Sequence, residues 1–159
     1  MKPSVTNIVI AGLGGQGVLK ASDILADLVF NAGLDVKKSE VHGMSQRGGS
    51  VASDVRFGSK VNSPMVPPGE ADYLVVISAD QVPVNQAVLA KDGVLIEESQ
   101  IDALNLSNKK SMNIALLGVL SRHMEFPEEA WMKAILKNLP EKLHEDNKKA
   151  FLLGRNGSN

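Results

Sequence analysis

An α/β domain is expected here: a Rossmann-like doubly wound sheet, mostly parallel with an antiparallel strand insertion, followed by C-terminal helices. Three observations predict it. A β-branched run, Asn7 to Ala11, leads through a glycine cluster into a stretch of helical periodicity. Short apolar runs at YLVVIS (Tyr73 to Ser78) and VLIE (Val94 to Glu97) then alternate with segments able to form helices, the order of βαβ units. The second and third strands, however, are separated by fewer residues than the roughly dozen a parallel crossover needs, so they should pair antiparallel.

The first strand, NIVIA, is short and apolar, as a strand buried on both faces should be. Val18, Leu19, Ala21, Ile24, Leu25, Leu28 and Val29 recur at helical spacing, and Gly33 closes that helix. Asp35 to Val41 carries only two aliphatics, Val36 and Val41, which places it toward an edge. Ser50 to Phe57 alternates Val51, Ser53, Val55 and Phe57 with Ala52, Asp54 and Arg56, a strand with one polar face. Lys60 to Gly69, with Pro64, Pro67 and Pro68, reads as extended loop, and YLVVIS as a central strand. Gln81 to Lys91 is read as a helix with Pro83 in its first turn and Gly93 after it, and VLIE as the next strand. Leu104 and Leu106 suggest a short extra strand. Met112 to Met124 is apolar around its circumference and should be a buried helix. Pro127-Glu128-Glu129 starts another, running to about Asn138, with acids at the positive end of its dipole. Glu141 to Leu153 forms a last amphipathic helix. Residues 1–154 are read as a single domain, with a frayed tail from about Gly154 through 155–159.

Composition narrows the function. The chain has 159 residues, 43% hydrophobic and 22% charged, enough for one domain with a sizeable core. Net charge is −1 and aromatics are 4%, so nothing points to nucleic acid or an anionic membrane. There is no cysteine, which excludes disulfides, a cysteine nucleophile and cysteine-held iron–sulfur clusters in this chain. No apolar run reaches the roughly 18 residues of a membrane span, and the N-terminal run is too short for a signal peptide. A cytoplasmic protein is expected.

Two glycine segments carry the site. "GLGGQG" places Gly12, Gly14, Gly15, Gln16 and Gly17 between the first strand and first helix. There, backbone N–H groups and the helix N-terminus can approach an anion. The dinucleotide reading also needs an acid about 20 residues on. Glu40 comes later than that, and the second helix of the motif is missing. A phosphate-bearing ligand, a partner's backbone, or simply a tight strand-to-helix turn remain open. The segment lacks the Lys-Ser/Thr ending of a P-loop. "HGMSQRGGSV", starting at His42, supplies the second segment: His42, Gly43, Ser45, Gln46, Arg47, Gly48 and Gly49. Arg47 offers a fork of donors for phosphate or carboxylate, and His42 can donate a hydrogen bond or carry a proton. The plainer alternative is a connector whose Arg47 pairs with Glu40 or Asp54. Both segments should emerge at the carboxyl edge of the sheet, where open α/β sheets bind ligands. No nucleophile elbow, acid pair or metal-like histidine spacing appears, so no catalytic residue and no metal ligand is assigned to this chain alone. A stand-alone NAD(P)- or FAD-binding protein and a CoA- or nucleotide-binding sensor are both compatible with these residues.

"GLGGQGV", the RGG of the second segment, "SP" at Ser63-Pro64, "ADYLVV" and "NIALLG" (Asn113 to Gly118) occur in this order. Together they resemble the gamma subunit or domain of 2-oxoacid:ferredoxin oxidoreductases, over about Asn7 to Gly154. "HGMSQRGGSV" is especially similar to the beta subunit of the indolepyruvate branch. His42-Gly43 and Gln46 stand where most gamma subunits have Tyr-Gly and Glu, which favours the arylpyruvate type and leaves the pyruvate, branched-chain and 2-oxoglutarate types open. The region from Ser78 to Ser111 is abbreviated. The resemblance implies one subunit of a hetero-oligomer that decarboxylates a 2-oxoacid, forms an acyl-CoA and reduces ferredoxin. Thiamine diphosphate, Mg2+, iron–sulfur clusters and CoA would be used through other subunits, with none bound by this chain alone. The two glycine segments would face a ligand or a partner subunit.

Overall fold

The protein is described here from a computed structural model covering residues 4–42 and 49–157. Five strands form one sheet in the order β2-β3-β1-β4-β5. They are β1 (Val5–Leu13), β2 (Asp35–His42), β3 (Ser50–Gly58), β4 (Ala71–Val76) and β5 (Leu89–Glu97). The helices are α1 (Val18–Asn31), α2 (Val82–Asn85), α3 (Met112–Ser121), α4 (Glu128–Asn138) and α5 (His144–Asn156). The α/β fold is the expected one. β2 and β3 pair antiparallel, from Asp35↔Gly58 to His42↔Val51, as their short connection required. β2 is the edge strand, as expected, and β3 lies directly beside it. β3 pairs antiparallel with β1 as well, while β1–β4 and β4–β5 are parallel. Four strands point one way, yet half of the neighbouring pairs are antiparallel, so "mostly parallel" overstates the sheet.

Strand alternation divides the interior in two. Ile8 and Ile10 of β1, Val55 and Phe57 of β3, Val75 of β4 and Ile96 of β5 face the main core, together with buried residues of α1, α3, α4 and α5. Burial of each large aliphatic there stabilises the fold by about 1.5–3 kcal/mol. The opposite face is thinner: Val9, Leu74 and Val76 meet Ala71 and Val66, with Val82, Val88 and Leu89 alongside. Among the described residues, no long helix contributes to this second cluster.

α1 buries Val18, Ala21, Ile24, Leu25, Leu28 and Val29 of the stripe its spacing predicted, while Leu19 is only half-buried. α3 is buried at every position from Asn113 to Ser121. It lies so close to α5 that a Cβ on Gly154 would overlap the Ala115 carbonyl oxygen. That close approach explains a buried glycine where the sequence suggested fraying: α5 continues through Asn156. The predicted helix from Gln81 to Lys91 is instead the single turn of α2 between two 3-10 turns, Ala79–Gln81 and Gln86–Val88. α2 buries none of its residues and has no side-chain cap, so nothing offsets the cost of extending it. Leu89 already pairs with Ala71, and Gly93 lies within β5 beside a register shift rather than ending a helix. The extra strand at Leu104 and Leu106 is likewise absent; Ala103–Asn105 is a 3-10 turn capped by the Asp102 carboxylate.

The polar face of β3 holds the proline-rich loop. Arg56 Nε donates to Asn7 Oδ1 (2.8 Å) and Arg56 Nη1 to the Ser63 carbonyl (2.8 Å). Asn7 Nδ2 donates to the Glu70 carbonyl (3.1 Å), and the Val66 N–H donates to Asp54 Oδ2 (2.9 Å). Desolvation raises the Asp54 carboxyl above its ordinary value of 3.8, against the lowering effects of the Val66 N–H and the Arg56 charge. Among the described residues, no helix is long and apolar enough to cross a membrane.

Candidate functional site

β1 and β2 run in the same direction, so the segments that follow them leave the sheet at one edge. The ladder between β1 and β3 extends to Leu13↔Ser50, and the Gly14 N–H then donates to the Gly49 carbonyl (2.9 Å). The two glycine segments are therefore joined through their backbones. Ser50 Oγ donates to Gln81 Oε1 (2.7 Å), tying the start of β3 to the turn after β4. Of the second segment, Gly49 and the backbone of His42 are described. Gly43, Ser45, Gln46, Arg47 and Gly48 lie outside the described residues, as does the side chain of His42.

The first segment is held from within. Gln16 Oε1 accepts from the Leu13 N–H (2.7 Å), and the Gln16 N–H donates to the Leu13 carbonyl (3.1 Å). Gly17 is the N-cap of α1 in the left-handed region (φ 81°), a conformation glycine adopts without steric cost. Among the described residues, no side chain caps this helix end. Instead Asn113 Nδ2, on α3, donates to the Gly17 carbonyl (3.1 Å).

Beside this segment lies a cleft of about 350 Å³. Gly15 and Gln16 form one wall. Lys109, Lys110 and Met112, at the entry to α3, form another, while Ile77, Leu106 and Ala103 contribute apolar surface. Glu98 also lines it and accepts the Ala79 N–H through Oε1 (3.0 Å). The cleft is thus lined by glycine-segment residues, an apolar strip, two lysines and Glu98, a set that combines apolar surface with a few polar groups as ligand sites do. Neither lysine was singled out from the sequence. The lysine pair two residues ahead of "NIALLG" is the signal that could have identified them.

The dinucleotide reading loses ground on geometry. β3 lies between β1 and β2, so the end of β2 is two strand spacings from β1, roughly 10 Å. Glu40 sits 3.8 Å from Lys38 Nζ, which also pairs with Asp23 of α1. Asp54, offered as a partner for Arg47, is engaged with the Val66 N–H on the second face. Among the described residues, no three His, Asp or Glu side chains gather as metal ligands would.

A family model described as pyruvate ferredoxin/flavodoxin oxidoreductase matches residues 7–157. The indolepyruvate oxidoreductase subunit IorB of Thermococcus kodakarensis is 34% identical over 188 aligned positions, covering 93% of each chain. IorB of Pyrococcus horikoshii is 33% identical, again with 93% of each chain covered. The gamma subunit of a keto/oxoacid ferredoxin oxidoreductase from Geobacter sulfurreducens superimposes with a TM-score of 0.79 at 22% identity, covering 97% of this chain and 96% of that one. The 2-oxoglutarate:ferredoxin oxidoreductase from Magnetococcus marinus, solved with 2-oxoglutarate, coenzyme A and succinyl-CoA bound, gives 0.80 at 19% identity. It covers 98% of this chain and 31% of the larger one. At these identities the structural matches concern the fold.

Proposed function

Because the chain belongs to the pyruvate ferredoxin/flavodoxin oxidoreductase family, we propose that it is the gamma-type subunit of an indolepyruvate-class 2-oxoacid:ferredoxin oxidoreductase. The assembled enzyme converts a 2-oxoacid, CoA and oxidised ferredoxin into an acyl-CoA, carbon dioxide and reduced ferredoxin. The indolepyruvate class is supported by the IorB relatives. The chain acts as one domain, located in the cytoplasm, and works only with its partner subunits.

The single observation that carries the reading is the Gly14–Gly49 backbone bond, next in the chain to the Gly15–Gln16 wall of the cleft. We read Gly14, Gly15, Gln16 and Gly17, together with the segment from His42 to Gly49, as one ligand- or partner-facing surface; Gly12, expected there from the sequence, is buried. CoA fits the chemistry of this surface. Its phosphates suit Lys109, Lys110 and the N–H groups at the start of α1, and its slender arm suits the strip of Ile77, Leu106 and Met112. When bound, CoA supplies the thiol that accepts the acyl group. This chain's residues orient it and keep its polar end at the open side of the cleft.

Thiamine diphosphate, its Mg2+ and the iron–sulfur clusters do not fit this chain. It has no cysteine, and its described residues offer no cluster of metal ligands. We assign those groups, and the contact with ferredoxin, to the partner subunits.

Affinity purification of the tagged chain from its native cell tests the proposal. Co-purification of a thiamine- and iron–sulfur-bearing subunit, with 2-oxoacid- and CoA-dependent ferredoxin reduction by the pair alone, is expected. Recovery of the chain alone, with CoA binding but no partner, would support a sensor instead.

A further inference from the structure

Asn113 is a buried amide, 7% exposed, whose two ends are both engaged. Its Oδ1 accepts the Ile114 N–H (2.9 Å) at the start of α3, and its Nδ2 donates across the molecule to the Gly17 carbonyl (3.1 Å). The same carbonyl accepts the Ala21 N–H (3.0 Å), the first hydrogen bond of α1. One oxygen is therefore shared by the helix and by Asn113. The fit is close: a Cβ on Gly17 would overlap the Asn113 amide nitrogen.

This joint connects the two walls of the cleft. On one side Gly15 and Gln16 lead into Gly17; on the other Lys109, Lys110 and Met112 lead into Asn113. α3, in turn, is locked against α5 by the Gly118 and Gly154 contacts, so the second wall has a rigid backing. We propose that Asn113 is a positioning residue that fixes the spacing of the glycine wall from the lysine wall, and so sets the affinity of the cleft for CoA. Asn113 touches no ligand in this role. The inference rests on the proposed contact between this chain and CoA.

The test uses the enzyme assembled with its partner subunit. Asn113→Ala removes the amide, and Asn113→Asp keeps its shape and the Ile114 acceptor while removing the donor to Gly17. Each is expected to raise KM for CoA about tenfold, the size of one lost buried hydrogen bond. kcat and the KM for indolepyruvate should stay within about twofold. Amide exchange from Gly14 to Lys20 should accelerate in both variants, a local change that general destabilisation would not confine to this segment. Lys110→Ala separates the two layers of the argument. If it raises KM for CoA and the Asn113 variants do not, the positioning role is overturned and the CoA contact stands. If none of the three changes KM for CoA, both are overturned. Should neither Asn113 variant assemble, exchange in the unaltered enzyme decides: added CoA should slow the amides of both walls together, and slowing at one wall alone would refute the coupling.

Discussion

The Gly14 N–H points at the Gly49 carbonyl, 2.9 Å away, and closes the ladder between β1 and β3 at its last rung. Two segments separated by a helix and a strand thereby share one backbone contact. A single atom is responsible for it, and replacing that atom is the most direct perturbation. Gly14→Pro removes the N–H, and Leu13 before it is already extended, as a residue preceding proline prefers. A loss of about 1 kcal/mol is expected in urea denaturation, with faster amide exchange at Ser50.

Arg47 is the strongest side-chain donor in the second glycine segment. Under the proposed function, Arg47→Ala should lower turnover or CoA affinity of the assembled enzyme by about tenfold or more, without shifting the melting temperature of this chain. A variant that unfolds the chain, with the surviving enzyme kinetically normal, would assign Arg47 to structure instead.

The α3–α5 contact leaves no room for a methyl group. Gly154→Ala would drive a Cβ into the Ala115 carbonyl, and relief requires the helices to separate. Thermal denaturation should show a loss of about 3 kcal/mol, at the upper end for overpacked interiors.

Asp54 gives a pH signature. Burial raises its folded-state pKa above the unfolded value, so the folded chain holds the proton more tightly and stability falls as pH rises through the window just above 3.8. Asp54→Asn keeps an acceptor for the Val66 N–H and removes the charge. Denaturant titrations at pH 4 and pH 7 should find the variant gaining on the wild type at the higher pH. A constant difference between the two would contradict this.

Much of the fold was legible in the chain because it is encoded locally. The β-branched run before GLGGQG became β1, the 18–29 stripe became α1, and the short span between Val41 and Ser50 required antiparallel strands. What escaped was set by distant partners. The insertion of β3 between β2 and β1 depends on pairing with residues far away in sequence, such as Val5 with Gly58. The stretch from Gln81 to Lys91 has helical composition, but β5, which pairs Leu89 with Ala71 of β4, claimed its last three residues. At the site, the glycines declared themselves by spacing. Asn113 did not, because its partner Gly17 lies 96 residues away and only the folded chain brings the two together.

The hairpin of β2 and β3 has an engineering consequence. Its ladder runs unbroken from Asp35↔Gly58 to His42↔Val51, and β3 is anchored on its other side by β1. Whatever sequence joins the two strands is therefore presented from fixed stems. Closing a longer loop there costs only about 0.6 kcal/mol for each doubling of its length. Grafting a connection of different length between these stems is therefore expected to leave the sheet beneath intact, which thermal denaturation of the graft would check.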